Sequence, residues 1–214
     1  GLPAGIAGAL VASAGQIVVN LTGTASHAAY QDAIQAISFA NSSNAPAVDD
    51  RIITVTVNDG FVDSLPAIST VHIVPVNDAP VANNDRIVTN FVNGQTFALP
   101  DWVLLNNDTD VDSAFVVNGV ANASSLTVTH PAGGPFSITD AGVGTGGSFT
   151  YSVSDGQASD GATVTVVRDV TGTIGGGAAN AGHDIVVGDG ASSTLEGGLG
   201  NDLVFGGAGD DTIN

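Results

Sequence analysis

The sequence predicts an all-β chain: short-stranded sandwiches in tandem, then a repetitive coil. Three observations carry this. Apolar and polar residues alternate through Arg51–Asn58 and Ser148–Val153, as on half-buried strands. Turn words recur every ten or so residues, and Asn58-Asp59-Gly60 and Ser154-Asp155-Gly156 are two versions of one word. Finally, Ala179–Asn214 repeats with a period of nine residues.

The chain has 214 residues, enough for two small domains and a tail. It has no cysteine, methionine or lysine. Arg51, Arg86 and Arg168 stand against twenty aspartates and Glu196, for a formal net charge of −18. Such a chain repels nucleic acid and anionic membrane surfaces, and it needs counter-ions to compact. Disulfides are excluded, so metal sites are the expected substitute staples. A hydrophobic content of 43% separates it from disordered acidic tails. No stretch reaches the length of a membrane span. The apolar opening GLPAGIAGALVASAG lacks a basic leader and reads as domain sequence, not as a signal peptide.

Residues 1–78 read as most of one β-domain. Gln16–Thr22 is strand-like. Ser26 is placed to cap a short helix on which Tyr30, Ile34 and Ile37 share a face. Arg51–Asn58 and Ser69–Val76 are the next strands. Val76-Asn77-Asp78-Ala79-Pro80 marks the boundary, where Pro80 stiffens the joint.

Residues 79–169 read as a complete sandwich with strands beginning near Arg86, Thr96, Ser125, Phe136, Ser148 and Ala162. Trp102, in the apolar word DWVLL, is expected to anchor the core. The next word, NNDTDVD, sets Asp108, Asp110 and Asp112 at alternate positions, so that three carboxylates can converge on one cation. It is not an EF-hand, because Ser113 stands where the sharp-turn glycine belongs and no glutamate closes the loop. Asp78 and Asp85 are possible partners, and a solvated acidic loop is the alternative reading. A Gly142–Gly147 match to G-x-G-x-x-G precedes a strand and is set aside as a loop. The four histidines show no zinc spacing, and no nucleophile motif is present.

The nonads of residues 170–214 read ANAGHDIVV, GDGASSTLE, GGLGNDLVF and GGAGDDTIN, after a glycine-rich passage. Their eighth place is always aliphatic: Val186, Leu195, Val204, Ile213. Their sixth is Asp184, Ser193, Asp202 and Asp211. A flexible linker has no reason to keep an aliphatic residue in register four times. The last two nonads match G-G-x-G-x-D-x-U-x, and the segment resembles the RTX, or hemolysin-type, calcium-binding array. The resemblance implies a short parallel β-roll binding Ca2+. Gly182, Gly198, Gly200, Gly207 and Gly209 would free the turns and uncover their carbonyls, and the aspartates would supply hard oxygen ligands. Under the family's geometry, turns two nonads apart share an edge. This pairs Asp184 with Asp202 as the better site, and Ser193 with Asp211 as one short of a carboxylate. The array is expected to continue past Asn214, because a roll needs about three or more repeats.

The words LTGTASHAAYQDAIQAISFANSS, ITVTVNDG, VPVNDAPVA and NDTDVD resemble bacterial cadherin-like repeats, which are immunoglobulin-like sandwiches strung in tandem in secreted adhesins. That resemblance implies calcium at NDTDVD and at the linker aspartate Asp78. Both resemblances point to bacteria, so the sequons at Asn20, Asn41, Asn107 and Asn122 are taken as chance. The expected function is a non-catalytic, calcium-stiffened adhesive module of a large protein exported by a type I system to the cell surface. Its partners would be calcium and other copies of itself, or a surface or matrix ligand. An accessory tail of a secreted enzyme is the alternative. The first domain lacks the family's early strands: either the sequence begins mid-domain, or its open edge admits a strand from another subunit.

Overall fold

The computed structural model describes residues 1–214 apart from 14–15, 59, 93, 142–145, 171 and 177–181. The centre of the Asn58–Gly60 turn, most of the 142–147 loop and the start of the first nonad lie outside the described residues. The chain is all-β, and it divides into the compact units Gly1–Val76 and Asn77–Asn214. Among the described residues no helix is long and apolar enough to cross a membrane.

The first unit holds one four-stranded sheet in the order β1 (Ala7–Ser13), β2 (Gln16–Thr22), β3 (Arg51–Asn58), β4 (Ala67–Val71). Strands β2 and β3 are parallel because helix α1 (His27–Gln35) crosses between them. Ser26 caps the helix as its sequence position demands, its Oγ accepting the Ala29 N–H at 3.2 Å. Tyr30 and Ala33, not Ile34, turn inward onto Leu21. The Tyr30 hydroxyl reaches the Gly23 and Asn58 carbonyls, fixing the helix to the sheet. Among the described residues the helix faces this sheet where a sandwich would have a second sheet. Ile52 and Ile68 stay exposed.

The second unit is built from β5 (Asp85–Thr89), β6 (Thr96–Leu99), helix α2 (Asp101–Leu104), β7 (Val116–Ser124), β8 (Leu126–Thr129), β9 (Phe136–Asp140), β10 (Gly146–Ser154), β11 (Ser159–Arg168), β12 (Thr173–Ile174), β13 (Asp184–Val187), β14 (Thr194–Leu195), β15 (Leu203–Phe205) and β16 (Thr212–Ile213). The sheet β6-β9-β8 faces the sheet β15-β13-β5-β11-β10-β7. Phe149, Tyr151 and Val153 point inward while Thr150 and Ser152 do not, as the alternation requires. They meet Phe136, Ile138, Val164 and Ile87 in one core. Strand β7 escapes a sequence reading because Asn118-Gly119 looks like a turn; here it lies within an edge strand with an irregular register. Trp102 does not anchor the core. The one-turn helix α2 sends Val103 and Leu104 inside at 0% exposure and leaves Trp102 at 53%, packed on Phe205 in a tilted pair with ring centroids 6.0 Å apart.

The coil grows out of the sandwich. Strand β13 pairs in parallel with β5, matching Asp184 to Arg86 and Val186 to Val88. The two strands form a shared wall. Ile87, Ile185 and Val187 enter the sandwich core, while Val88 and Val186 turn to the other face and enter a second core with Ile174 and Leu195.

Candidate metal centre

Each nonad contributes a turn and one short strand, and successive strands fall on opposite walls. Strands β13 and β15 pair on one wall, matching Val186 to Val204; β14 and β16 pair on the other, matching Leu195 to Ile213. The aliphatic eighth positions are therefore interior. Val186 and Leu195 are fully buried and Val204 packs on them, whereas Ile213, in the last coil, is 57% exposed.

The repeat's glycines have distinct reasons. At Gly206 a Cβ would stand 2.6 Å from the Asp211 carboxylate, and at Gly197 it would stand 2.8 Å from that of Asp202. The first glycine of the nonad is thus the floor on which its own aspartate lies. Gly207 has φ +91° and backs onto the Asp189 carbonyl; Gly209 has φ +102° and backs onto Ser192 N. A side chain at either would be strained and would collide. Gly198 and Gly200 repeat the positive φ values one coil earlier, while Gly182 lies exposed at the start of the array.

The aspartates then bridge coils. Asp202 Oδ1 accepts the Asp184 N–H at 3.0 Å, and Asp211 Oδ1 accepts the Ser193 N–H at 2.9 Å. Both pairs have the two-nonad spacing that the resemblance implied, but the bond runs from carboxylate to backbone. The Asp184 side chain goes elsewhere: it is 1% exposed and takes Arg86 Nη1 at 3.1 Å. Ser193 turns its hydroxyl to the Ala191 carbonyl. The donor set suits a hard cation. Asp202 and Asp211 have no Arg or His partner among the described residues. Each lies against a bare glycine backbone, and calcium takes six to eight oxygens, carbonyls included.

The word NNDTDVD divides. A 3-10 turn over Leu105–Asn107 follows α2 and swings Asp108 inward, where it accepts Asn83 N–H at 2.7 Å and Tyr151 O–H at 2.9 Å. Burial pushes its carboxyl up. Beside it, Asp85 is 3% exposed, with the Tyr151 and Asn107 side chains as its polar neighbours. Burial raises Asp85 to about 7, Asp108's charge adds to this, and Tyr151 and Asn107 offset part of it. The Tyr151 phenol is pushed far up by burial and by Asp85.

Asp110 and Asp112 go the other way. Asp110 Oδ1 accepts the Asp112 and Ser113 N–H groups, which hold its carboxyl low. Asp112 Oδ2 accepts the Asp78 N–H at 3.1 Å. Asn77 Nδ2 donates to Asp155 at 2.7 Å, and the Ala158 amide, the Asn77 side chain and the Gln157 amide depress that carboxyl. Asp110 Oδ2 and Asp112 Oδ1 are shielded from solvent without a hydrogen-bond partner. Asp110, Asp112 and Asp155 thus gather near Asn77, Asp78 presents its backbone, and Asp108 stands apart. Among the described residues no three acidic or histidine side chains form a metal cage. The coil would not need one, since a turn's carboxylate can be joined by the carbonyls of the turns beside it. Sequence reading missed Asp155, hidden in a turn word, and Arg86, far from Asp184 in the chain.

Two family models match. A bacterial Ig domain covers residues 77–167, and the RTX calcium-binding nonapeptide repeat, in four copies, covers residues 179–213. No curated protein matches the chain. Similar solved structures include an endo-fucoidan hydrolase from glycoside hydrolase family 107, at 14% identity over 68% of this chain and 23% of that one, with TM-score 0.32. Mouse clustered PcdhgC3 EC1-3 is 10% identical over 58% of this chain and 44% of that one, with TM-score 0.33. Titin kinase with its flanking domains is 12% identical over 50% and 20%, with TM-score 0.24. The chain spans less than half the length of each, and overlaps this loose carry no argument.

Proposed function

We propose, for a chain that carries a bacterial Ig domain followed by RTX calcium-binding nonapeptide repeats, that this calcium-binding module of a secreted protein is a structural, adhesive segment of a large bacterial surface protein. RTX repeats bind Ca2+, and Ig-like and RTX domains are structural, not catalytic. In this reading calcium holds the coil shut, with Asp202 and Asp211 as carboxylate ligands and turn carbonyls at the glycines completing the shell. Asp110 and Asp112, each with one shielded oxygen lacking a hydrogen-bond partner, mark a second candidate position beside Asn77. The observation that carries the proposal is the two-nonad register, which lays unneutralised carboxylates on glycine floors in successive coils.

Low calcium leaves such an acidic chain loose, and high external calcium folds it by mass action. Circular dichroism of the chain in chelator and in millimolar calcium tests this. A gain of β signal on adding calcium supports it, and identical spectra refute it. The exposed apolar residues of the edge strands β1 and β4, Leu10, Val11 and Ile68 among them, fit self-association by strand addition. Light scattering from a strictly monomeric chain would remove that part.

A further inference from the structure

We propose that Arg86 does for the first coil what calcium does for the later ones, so that β13 docks on the sandwich without metal and serves as the template from which the calcium-dependent coils are laid down. The proposal rests on the reading of the array as calcium-folded.

A coil of this array sets a carboxylate at its sixth position, and closing the coil brings that charge into a crowded backbone environment. At Asp202 and Asp211 no protein cation is at hand among the described residues. At Asp184 one is. The Arg86 guanidinium stands 3.1 Å from Asp184 Oδ1, with the Asp184 side chain 1% exposed and that of Arg86 25% exposed. The chain has only three cationic side chains besides its histidines, and this one sits where strand register places it directly across from the first repeat aspartate. A buried carboxylate without a cation is strongly disfavoured. The guanidinium, always charged and weakly hydrated, is suited to that burial.

The apolar residues agree. Strand β13 alternates Ile185 and Val187 into the sandwich core with Val186 into the roll core, so it belongs to both. Strand β5 occupies the place of a preceding coil, with Val88 at the position that Val186 and Val204 fill in later ones. The Asp189 N–H is taken by Asn90 Oδ1 at 2.8 Å, so the sandwich also engages the turn after β13. An edge so prepared removes the nucleation step that a repeat array otherwise faces alone.

Hydrogen exchange read by mass spectrometry on the full chain, in chelator and in calcium, tests this. In chelator, peptides covering β13 should keep protection at least tenfold above those covering β14, β15 and β16, and calcium should protect all four. Arg86→Met keeps the apolar stem and removes the charge; it should cost β13 its chelator protection. Arg86→Lys should restore part of it. The double variant Arg86→Met/Asp184→Met, with neither charge, should restore it as well, which separates charge pairing from general damage even if the single variant loosens the sandwich peptides of β10 and β11. If β13 in the unaltered chain exchanges as fast as β14–β16 in chelator, or if Arg86→Met leaves its protection intact, the proposal is overturned. If every coil stays protected in chelator, the calcium-folding reading fails too, and that pattern is distinct from loss at β13 alone.

Discussion

Truncating the centre of the roll should convert a packing defect into a calcium requirement. Leu195 is 0% exposed, between Val186, Ile174 and Val88. Removing its isobutyl group forfeits the transfer energy and leaves a cavity, about 3 kcal/mol for a site of this kind. That is roughly a 150-fold drop in the folding constant of the coil. If one ion folds the coil, the calcium midpoint rises by about the same factor; if two ions bind together, it rises by about 12-fold. Ile213, at the same place in the last nonad, is 57% exposed, so Ile213→Ala should move the midpoint by less than about threefold. The assay is built in, because Trp102 is the sole tryptophan and packs on Phe205 of β15. Its emission during a calcium titration reports docking of that coil. Coincident curves for Leu195→Ala and the unaltered chain, or equal shifts for Leu195→Ala and Ile213→Ala, would show that the eighth positions do not form the interior described.

Three further outcomes follow from particular sites. Gly207→Ala, forced into φ +91° against the Asp189 carbonyl, should cost at least about 1 kcal/mol and raise the calcium midpoint in the same titration. Gly190→Ala, whose Cβ meets nothing within 4 Å, should not. Asp85→Asn should alter how the sandwich responds to pH. Its folded carboxyl titrates near 7 against 3.8 when free, so the folded state binds the extra proton between those values. Stability should therefore fall as pH rises from about 4 to 7 and then level off. The variant should remove that slope, gaining a few kcal/mol at most at pH 8 and little at pH 4, as read by urea melts at both. Phe205→Ala should shift Trp102 emission to longer wavelength even in saturating calcium, since it removes the ring that covers the indole.

The coil was the most legible part of the chain because its cause is local. A nine-residue period singles out the aliphatic and glycine positions, and the resemblance to the calcium-binding array supplied the two-nonad register. The sandwich strands were legible where alternation is strict, as from Phe149 to Val153, and lost where an Asn-Gly pair lies inside a strand, as in β7. Trp102 was misplaced because size argues for burial, yet a single helical turn gave the inside to Val103 and Leu104. The alternate spacing of Asp108, Asp110 and Asp112 suggested one site, but a 3-10 turn before Asp108 rotates it away from the other two. The fate of Asp184 lay outside any local pattern. Its cation comes from a strand of the other domain type, and only the parallel pairing of β5 with β13 brings the two charges together.

Calorimetric titration of the chain with calcium, run beside the double variant Asp202→Asn/Asp211→Asn, tests the central claim most directly. The account predicts saturable calcium uptake by the unaltered chain that the double variant loses in large part, with its sandwich still folded. Uptake of equal size and affinity in both proteins, or none in either, would contradict it.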